Sequence, residues 1–573
     1  MSQEDIPMPW LESMPEGRAT TLDYEEVPPI EFLRRRVESQ PDKPFMILDK
    51  GVTITFGEAY KTISQIAANL QKMGVEKGDR VALMLNNIPP YIFTHYACLA
   101  IGATVVQVNP LYTEPELKHI VTDSGAKALV TLTMFQEKSN NVLQSTDLEF
   151  VIYTKVQNYL SGLVRFLGKI LKGRIAPLFD PKDDAYEMDK YDVANTYDFE
   201  DFTKGDGRFS EPDLDIKEDV AILQYTGGTT GFPKGAMLTH RNLSINAQQC
   251  RAVLYMVEDN VGAVLTVLPL FHVFGMTVCM NLSIQMGIPM ILNIKNPPSF
   301  DDILGWIEKY NITFLPGVPR IFIEINKHPK AAKTDFSSLI AAISGGAPLP
   351  LEVAKEFKRV ANADLVEGYG LSETSPITHV NPIGLPPREN SIGLPAPDTM
   401  VKIVDLEDPT KTLGIDEVGE ITIKGPQVFK GYWNMPEETE MVLSDDGWFR
   451  TGDIGYLDEE GYFYIVDRKK DMIIVSGYNV YPREVEDVLF EHPKVQEAAV
   501  AGKQDEKRGE IVAAWIVLKE GQTATKEEII DYCRDNLAAY KVPKEVTFRD
   551  ELPTSMVGKV LRRKLTDDEE ASE

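Results

Sequence analysis

Asp219-Val220-Ala221-Ile222-Leu223-Gln224-Tyr225-Thr226-Gly227-Gly228-Thr229-Thr230-Gly231-Phe232-Pro233-Lys234-Gly235-Ala236-Met237-Leu238-Thr239 is the stretch that decides the fold. Two apolar runs flank a loop rich in glycine and threonine. The pattern predicts strand, loop, strand, with a helix starting only around Arg241-Asn242. Glycine tolerates φ > 0 and has no Cβ, so such a loop can turn several N–H groups inward. Concavities of that kind bind anions. Thr226, Thr229 and Thr230 add hydroxyls, and Lys234 adds a point charge. A polyphosphate suits this set. A Walker A loop reads G-x-x-x-x-G-K-[ST] and opens directly into a helix. Here Lys234 follows Pro233 and precedes Gly235, so no hydroxyl follows the lysine to hold Mg²⁺. An ordinary Gly/Thr-rich surface loop is the bland alternative for a shorter string of this type.

Outward from the loop, residues 80–131 alternate short apolar runs with helical patterns. Arg80–Leu85, Ala103–Val108 and Ala128–Thr131 read as strands, and Pro89–Ile101 and Glu114–Ser124 as helices. Such alternation predicts a parallel sheet covered on both faces. The pattern resumes over 261–345. From about Gly393 to Tyr464 the helical signal fades, and segments such as Glu420-Ile421-Thr422-Ile423-Lys424 predict a β-rich subdomain. After Asp467 a smaller α+β segment follows, so the expected division is 1–466 and 467–573. The composition of the tail 567–573 predicts no fixed structure.

With 573 residues the chain is too long for one core. A net charge of −28 makes nucleic acid an unsuitable partner. Cys98, Cys250, Cys279 and Cys533 lie far apart without a C-x-x-C pair. That spacing argues against zinc and disulfides and predicts a reducing, cytoplasmic setting. The acidic first residues do not read as a secretory signal. Asn260–Ile294 contains no Asp, Glu, Lys or Arg, but Pro269, His272, Gly275, Asn281, Gln285, Gly287 and Pro289 interrupt it. A buried strand–turn–helix–strand fits it better than a spanning helix. Residues 151–179 carry Lys155, Arg165, Lys169, Lys172 and Arg174 but no acid. Leu160, Leu163, Val164, Leu167, Ile170 and Leu171 share one helical face within it. A basic amphipathic helix over 158–175 suits reversible contact with the inner face of a membrane; a surface helix docked on its own domain is the competing reading.

Further motifs supply the rest of a nucleotide site. Ser344-Gly345-Gly346-Ala347-Pro348 precedes Glu367-Gly368-Tyr369-Gly370-Leu371-Ser372-Glu373-Thr374. Small residues let backbone lie against a flat base, a tyrosine ring can stack on it, and a carboxylate can bind Mg²⁺. Gly447-Trp448-Phe449-Arg450-Thr451-Gly452-Asp453 reads as a β-turn or as a carboxylate placed for sugar hydroxyls. Asp467-Arg468-Lys469-Lys470-Asp471 falls where composition shifts between domains; Ser476-Gly477-Tyr478 and Pro553-Thr554-Ser555-Met556-Val557-Gly558-Lys559 follow. Taken singly, Tyr369 reads as a core aromatic, His272 as a buried histidine and Lys559 as a surface charge.

Together, from about residue 30 to 565 and in the same order, these motifs resemble the adenylate-forming superfamily. That superfamily contains acyl-CoA synthetases, luciferases and peptide-synthetase adenylation domains. Within it the chain is most similar to bacterial long-chain fatty acyl-CoA synthetases. The resemblance implies an α/β fold: a large N-terminal domain of two packed doubly wound sheets plus a β-barrel-like subdomain, and a small mobile C-terminal α+β domain. It implies that Thr226, Gly227, Gly228, Thr229, Thr230, Gly231 and Lys234 hold the β- and γ-phosphates of ATP. Gly346, Ala347 and Tyr369 would contact adenine, and Asp453 the ribose with Arg468 nearby. Glu373 would hold Mg²⁺, with Thr226 also assigned to the metal, and Thr374 would touch the α-phosphate. His272 would stand at the carboxylate end of an acyl pocket. Val273, Met276, Thr277, Met280 and Val318 read as lining such a pocket or, equally, as plain core residues. Lys470 would be the hinge, Gly477 would flank the CoA tunnel, and Lys559 would be the catalytic lysine.

The implied reaction turns a fatty acid, ATP and CoA into acyl-CoA, AMP and pyrophosphate through acyl-AMP. Alternatives stay open at this stage. The acid could be medium-chain or aromatic, or a carrier protein could replace CoA. An acyl-binding or transport-coupling protein without activity and a Walker-type NTPase are rivals of other classes. Acyl chain length and oligomeric state are not written in the sequence.

Overall fold

The computed structural model describes residues 8–48, 52–159, 193–226, 233–293, 299–386, 388–475, 478–505, 509–554, 560–562 and 564–566. The expected amphipathic helix over 158–175 beyond Tyr159, and the tail 567–573, lie outside them.

The first sheet has seven strands in the order Thr196–Asp198, Phe150–Thr154, Ala128–Leu132, Arg80–Met84, Thr104–Gln107, Val220–Thr226, Lys234–Thr239. All neighbours are parallel except the last two, which form an antiparallel hairpin with Thr226 opposite Lys234. Every residue of Ala128–Leu132 and of Phe150–Thr154 is buried, as a strand covered on both faces requires. Connecting helices begin and end where their sequences dictate. Thr113 and Glu116 form a capping box on Glu114–Ser124, and Gly125 closes it in the left-handed region at φ 59°. Pro89–Ala100 is buried along its whole length, so it lies inside the molecule rather than on it.

The second sheet runs in the order Thr53–Thr55, Pro44–Leu48, Met290–Leu292, Ala263–Thr266, Ile312–Gly317, Ala341–Ser344, Leu365–Gly370, with parallel pairing from Pro44–Leu48 onward. It continues without a break into antiparallel strands Ile377–Val380, Ser391–Pro395, Phe463–Arg468, Phe449–Leu457, Gly419–Lys424 and Met400–Val404. The antiparallel run therefore begins at Ile377, earlier than the shift expected near residue 393. The uncharged stretch 260–294 folds as the strand Ala263–Thr266, a helical run Val273–Met286 with a π-helical middle at Met276–Asn281, and the strand Met290–Leu292. Among the described residues no helix is long and apolar enough to cross a membrane.

A third sheet holds Tyr478–Val480, Ile473–Val475, Gly509–Leu518, Val495–Asp505 and, beside Gly509–Leu518, Glu545–Phe548. Its own core packs Val485 and Leu489 of the helix Pro482–Glu491 against Ile529 and Cys533 of Lys526–Asn536. The chain crosses into this unit between Arg468 and Ile473, the interval that contains Lys470.

Candidate active site

Four of the expected nucleotide residues, Thr226, Gly346, Ala347 and Tyr369, sit at the carboxyl ends of parallel strands, where open α/β sheets bind ligands. Thr226 ends the strand Val220–Thr226 in the first sheet. In the second sheet Gly346 and Ala347 follow Ala341–Ser344, and Tyr369 lies at the end of Leu365–Gly370. Gly346 has φ 81°, a conformation that favours glycine, and it is exposed; Ala347 is half-buried.

Asp453 and Arg468 are opposite one another in adjacent antiparallel strands. The Arg468 guanidinium meets Asp453 Oδ1 at 3.0 Å, and the Tyr369 hydroxyl donates to Oδ2 at 2.6 Å. The Asp453 side chain is only 3% exposed, so this carboxylate is buried and paired on both oxygens. Burial first, and then Asp453, pushes the Tyr369 phenol well above its ordinary range. Asp453 is the largest influence holding Arg468 protonated; Tyr369, Asp471 and Glu373 add to it. Arg468 thus feels both Asp453 and Glu373.

Glu373 lies on the tight turn Ser372–Thr374. Its Oε1 accepts from the Tyr432 hydroxyl at 2.8 Å, and its backbone oxygen accepts from Phe429 N at 2.8 Å. No described residue bonds its Oε2. Burial, followed by Glu373, raises the Tyr432 phenol, so Tyr432 stays a donor at neutral pH. Lys234 pairs with Glu438 and lies 5.5 Å from the centre of the Tyr432 ring. Among the described residues no group of three or more His, Cys, Asp or Glu side chains comes together for a metal. Glu373 therefore suits a cation that takes one carboxylate and completes its shell with phosphate oxygens and water, which is how Mg²⁺ binds.

Thr374, expected at the α-phosphate, is bonded within its own turn. It has no exposed surface, and its hydroxyl donates to Pro376 O at 2.6 Å while accepting from Leu371 N at 3.0 Å. It braces the turn and faces inward. Ser372, two residues earlier, is the partly exposed hydroxyl of the same turn.

His272 caps its helix: Nδ1 accepts from Phe274 N at 3.2 Å, which leaves the proton on Nε2. Burial pushes this imidazole down to about 4, so it is neutral at physiological pH and can donate from Nε2. Gly275 is compelled there, because a Cβ would come 2.3 Å from Pro269 O. Val273, Met276, Met280 and Val318 belong to one buried apolar cluster. The Thr277 hydroxyl donates to Ser375 O at 2.7 Å, tying the expected acyl wall to the turn that carries Glu373.

At the domain crossing, Lys469 N bonds Gly452 O at 2.9 Å, and Lys469 Nζ reaches Glu420 at 3.3 Å. Asp467 accepts from the backbone of Arg483 at 2.8 Å, fastening the first turn of the C-terminal helix to the crossing. Burial raises the Asp467 carboxyl to about 6. Gly227, Gly228, Thr229, Thr230, Gly231, Gly477 and Lys559 lie outside the described residues, but the flanks of Lys559 do not. Thr554 bridges Val560, and Leu561 N bonds Pro553 O at 2.8 Å. Arg562 grips Glu486 at 2.7 Å and Asp471 at 3.2 Å.

Sequence reasoning missed three side chains here. Tyr432 and Glu438 come from residues 431–440, a segment that none of the quoted motifs covers. Glu367 stood inside a quoted motif without a role; it accepts from Leu349 N at 3.2 Å beside the Gly346 loop, and burial raises it to about 7.

A family model described as AMP-binding enzyme matches residues 33–433, and one described as AMP-binding enzyme C-terminal domain matches 484–559. A long-chain-fatty-acid–CoA ligase of Bacillus subtilis (strain 168) is 43% identical over 565 residues, covering 98% of each chain. The protein of the same name from Escherichia coli O157:H7 is 39% identical over 570 residues, again covering 98% of both. Among solved structures, ATP-bound MatB from Rhodopseudomonas palustris superposes with a TM-score of 0.81 at 27% identity, covering 94% of this chain and 98% of that one.

Proposed function

Because the chain belongs to the AMP-binding enzyme family, we propose that it activates a long-chain fatty acid with ATP and transfers the acyl group to CoA. The observation that carries this reading is convergence. Tyr369, Asp453 and Arg468 form one bonded group; Glu373, Tyr432 and Lys234 form a second; Arg468 links them electrostatically. Full-length similarity to long-chain-fatty-acid–CoA ligases supports the substrate class.

In the first half-reaction the fatty carboxylate attacks the α-phosphorus of ATP, acyl-AMP forms and pyrophosphate leaves. The nucleophile is already ionised at neutral pH, so no base is required. The work is placement and charge compensation. Asp453 and Arg468 fix the sugar end, Gly346 and Ala347 offer a flat surface to the base, and Tyr369 bridges the two. Lys234 and the threonines at 226, 229 and 230 hold the outer phosphates. His272, neutral and donating from Nε2, orients the incoming carboxylate without trapping it as an ion pair. Glu373 would hold Mg²⁺, which supplies charge neutralisation on the phosphates when bound. Lys559 adds its ammonium at the reacting phosphate. In the second half-reaction the C-terminal unit turns about Lys470, withdraws Lys559 and brings Gly477 to the cleft. The CoA thiol then attacks the acyl-AMP carbonyl, and AMP leaves. The amphipathic segment 158–175 would bring the enzyme to the membrane surface, where such acids partition.

Incubation with CoA, MgATP and, separately, palmitate, octanoate and coumarate tests the substrate assignment. Palmitoyl-CoA, AMP and pyrophosphate are expected in equal amounts, with the other acids turned over more slowly. Faster turnover of coumarate, or production of ADP, would overturn it.

A further inference from the structure

We infer that Glu438 is a built-in competitor for Lys234, positioned so that the phosphate-binding lysine exchanges between a protein carboxylate and the departing pyrophosphate. The inference rests on the reading of Lys234 as a phosphate ligand.

Three observations place Glu438 there by design of the fold. The Lys234–Glu438 pair is shielded, with side chains 11% and 32% exposed, so its attraction is stronger than that of two fully solvated ions. The face of the Tyr432 ring lies under the same ammonium, which favours a cation at that spot. The segment bearing both partners is laced to the lysine's own strand: Trp433 N bonds Gly235 O at 2.8 Å and Met237 N bonds Gly431 O at 2.9 Å. The helix Pro436–Val442, which carries Glu438, is held back on that segment by Tyr432 N donating to Thr439 Oγ1 at 2.9 Å. These bonds hold the backbone that carries Glu438 beside the strand of Lys234.

The consequence follows from charge. A triphosphate reaching Lys234 meets a fixed carboxylate beside it and must take over the lysine. Glu438 is a carboxylate beside the lysine and repels an anion there, so it opposes binding of triphosphate and pyrophosphate alike. Its benefit is at the end of the first half-reaction, when the lysine has a ready partner and pyrophosphate can leave. Tight binding of a leaving group would otherwise slow turnover. Glu438 touches no reacting atom; it is a positioning residue acting through Lys234.

Titration calorimetry of the full chain with magnesium pyrophosphate and with α,β-methylene-ATP tests this. Glu438→Gln should tighten both ligands about threefold to fivefold, the range expected for removing a partly exposed ion-pair partner. Pyrophosphate should become a stronger product inhibitor by a similar factor. Lys234→Met should weaken both ligands, and adding Glu438→Gln to it should change little. A residue that merely braced the lysine would give the opposite sign, so weaker or unchanged binding in Glu438→Gln would overturn the inference while Lys234→Met still weakened binding. Unchanged binding in Lys234→Met would overturn the phosphate role of Lys234 and the inference with it.

Discussion

Tyr369 donates a 2.6 Å hydrogen bond to Asp453, although the two residues belong to different motifs and to strands from the parallel and antiparallel parts of one sheet. With Arg468 on its other oxygen, Asp453 is a buried carboxylate whose partners are both committed. Each oxygen keeps a further lone pair, to which a ribose hydroxyl donates under the proposed function. Asp453→Asn keeps the shape but removes the charge and leaves Arg468 without its counter-ion. Charged hydrogen bonds of this kind contribute about 1.5–3 kcal/mol, so the KM for ATP should rise roughly tenfold or more. Steady-state kinetics at saturating fatty acid would show it; an unchanged KM would remove Asp453 from the nucleotide site.

Tyr432 orients the carboxylate of Glu373 through one hydrogen bond. Tyr432→Phe removes the hydroxyl and keeps the ring under Lys234. The Mg²⁺ concentration giving half-maximal rate should rise about fivefold, corresponding to about 1 kcal/mol for one hydrogen bond. Titrating Mn²⁺ by its paramagnetic relaxation provides a reading independent of turnover. Unaltered metal dependence would mean that Glu373 needs no orienting partner.

Arg562, three residues after Lys559 in sequence, pairs with Glu486 and Asp471. Its guanidinium is held charged despite burial, chiefly by Glu486. Under the proposed division of labour, in which Lys559 serves the first step alone, Arg562→Met should slow pyrophosphate release far more than thioester formation from supplied acyl-AMP. Arg562→Lys should restore part of the loss. Equal damage to both steps would show that Arg562 merely holds the C-terminal unit together.

Four buried histidines make the fold sensitive to acid. Burial lowers His95 and His379 to about 3 and His240 and His272 to about 4, against 6.5 for a free histidine. Between pH 6.5 and about 4 the unfolded chain binds protons that the folded chain refuses, so stability falls as pH falls through that window. Glu367 and Asp467, raised to about 7 and about 6, act in the opposite direction, because the folded form holds their protons. The histidines are more numerous, and the thermal midpoint should drop between pH 6.5 and 4. Replacing His95 with Leu should flatten the profile; a flat wild-type profile would contradict the account.

Local signals in the sequence were sufficient where structure is local. Glu114–Ser124 was legible in full because Thr113, Glu116 and Gly125 mark its ends. The hairpin around the phosphate loop was legible because apolar runs of strand length flank glycine and proline. The inward turn of the Thr374 hydroxyl was not legible, because a turn of three residues offers two hydroxyls and only the backbone path decides that Ser372 is the partly exposed one. Glu438 was invisible for another reason. It lies 204 residues from Lys234, and its own surroundings, Pro436-Glu437-Glu438-Thr439-Glu440, read as a solvated acidic helix start. The joining of the antiparallel strands to the second sheet was likewise set by long-range pairing that periodicity does not encode.

Under the proposed function one cleft runs two half-reactions and Lys559 serves only the first. Single-turnover measurement on Lys559→Ala tests it most directly, following pyrophosphate from ATP and palmitate, and palmitoyl-CoA from supplied palmitoyl-AMP and CoA. The account predicts that pyrophosphate release is abolished while thioester formation persists near the wild-type rate. Loss of both steps together, or retention of pyrophosphate release, would contradict it.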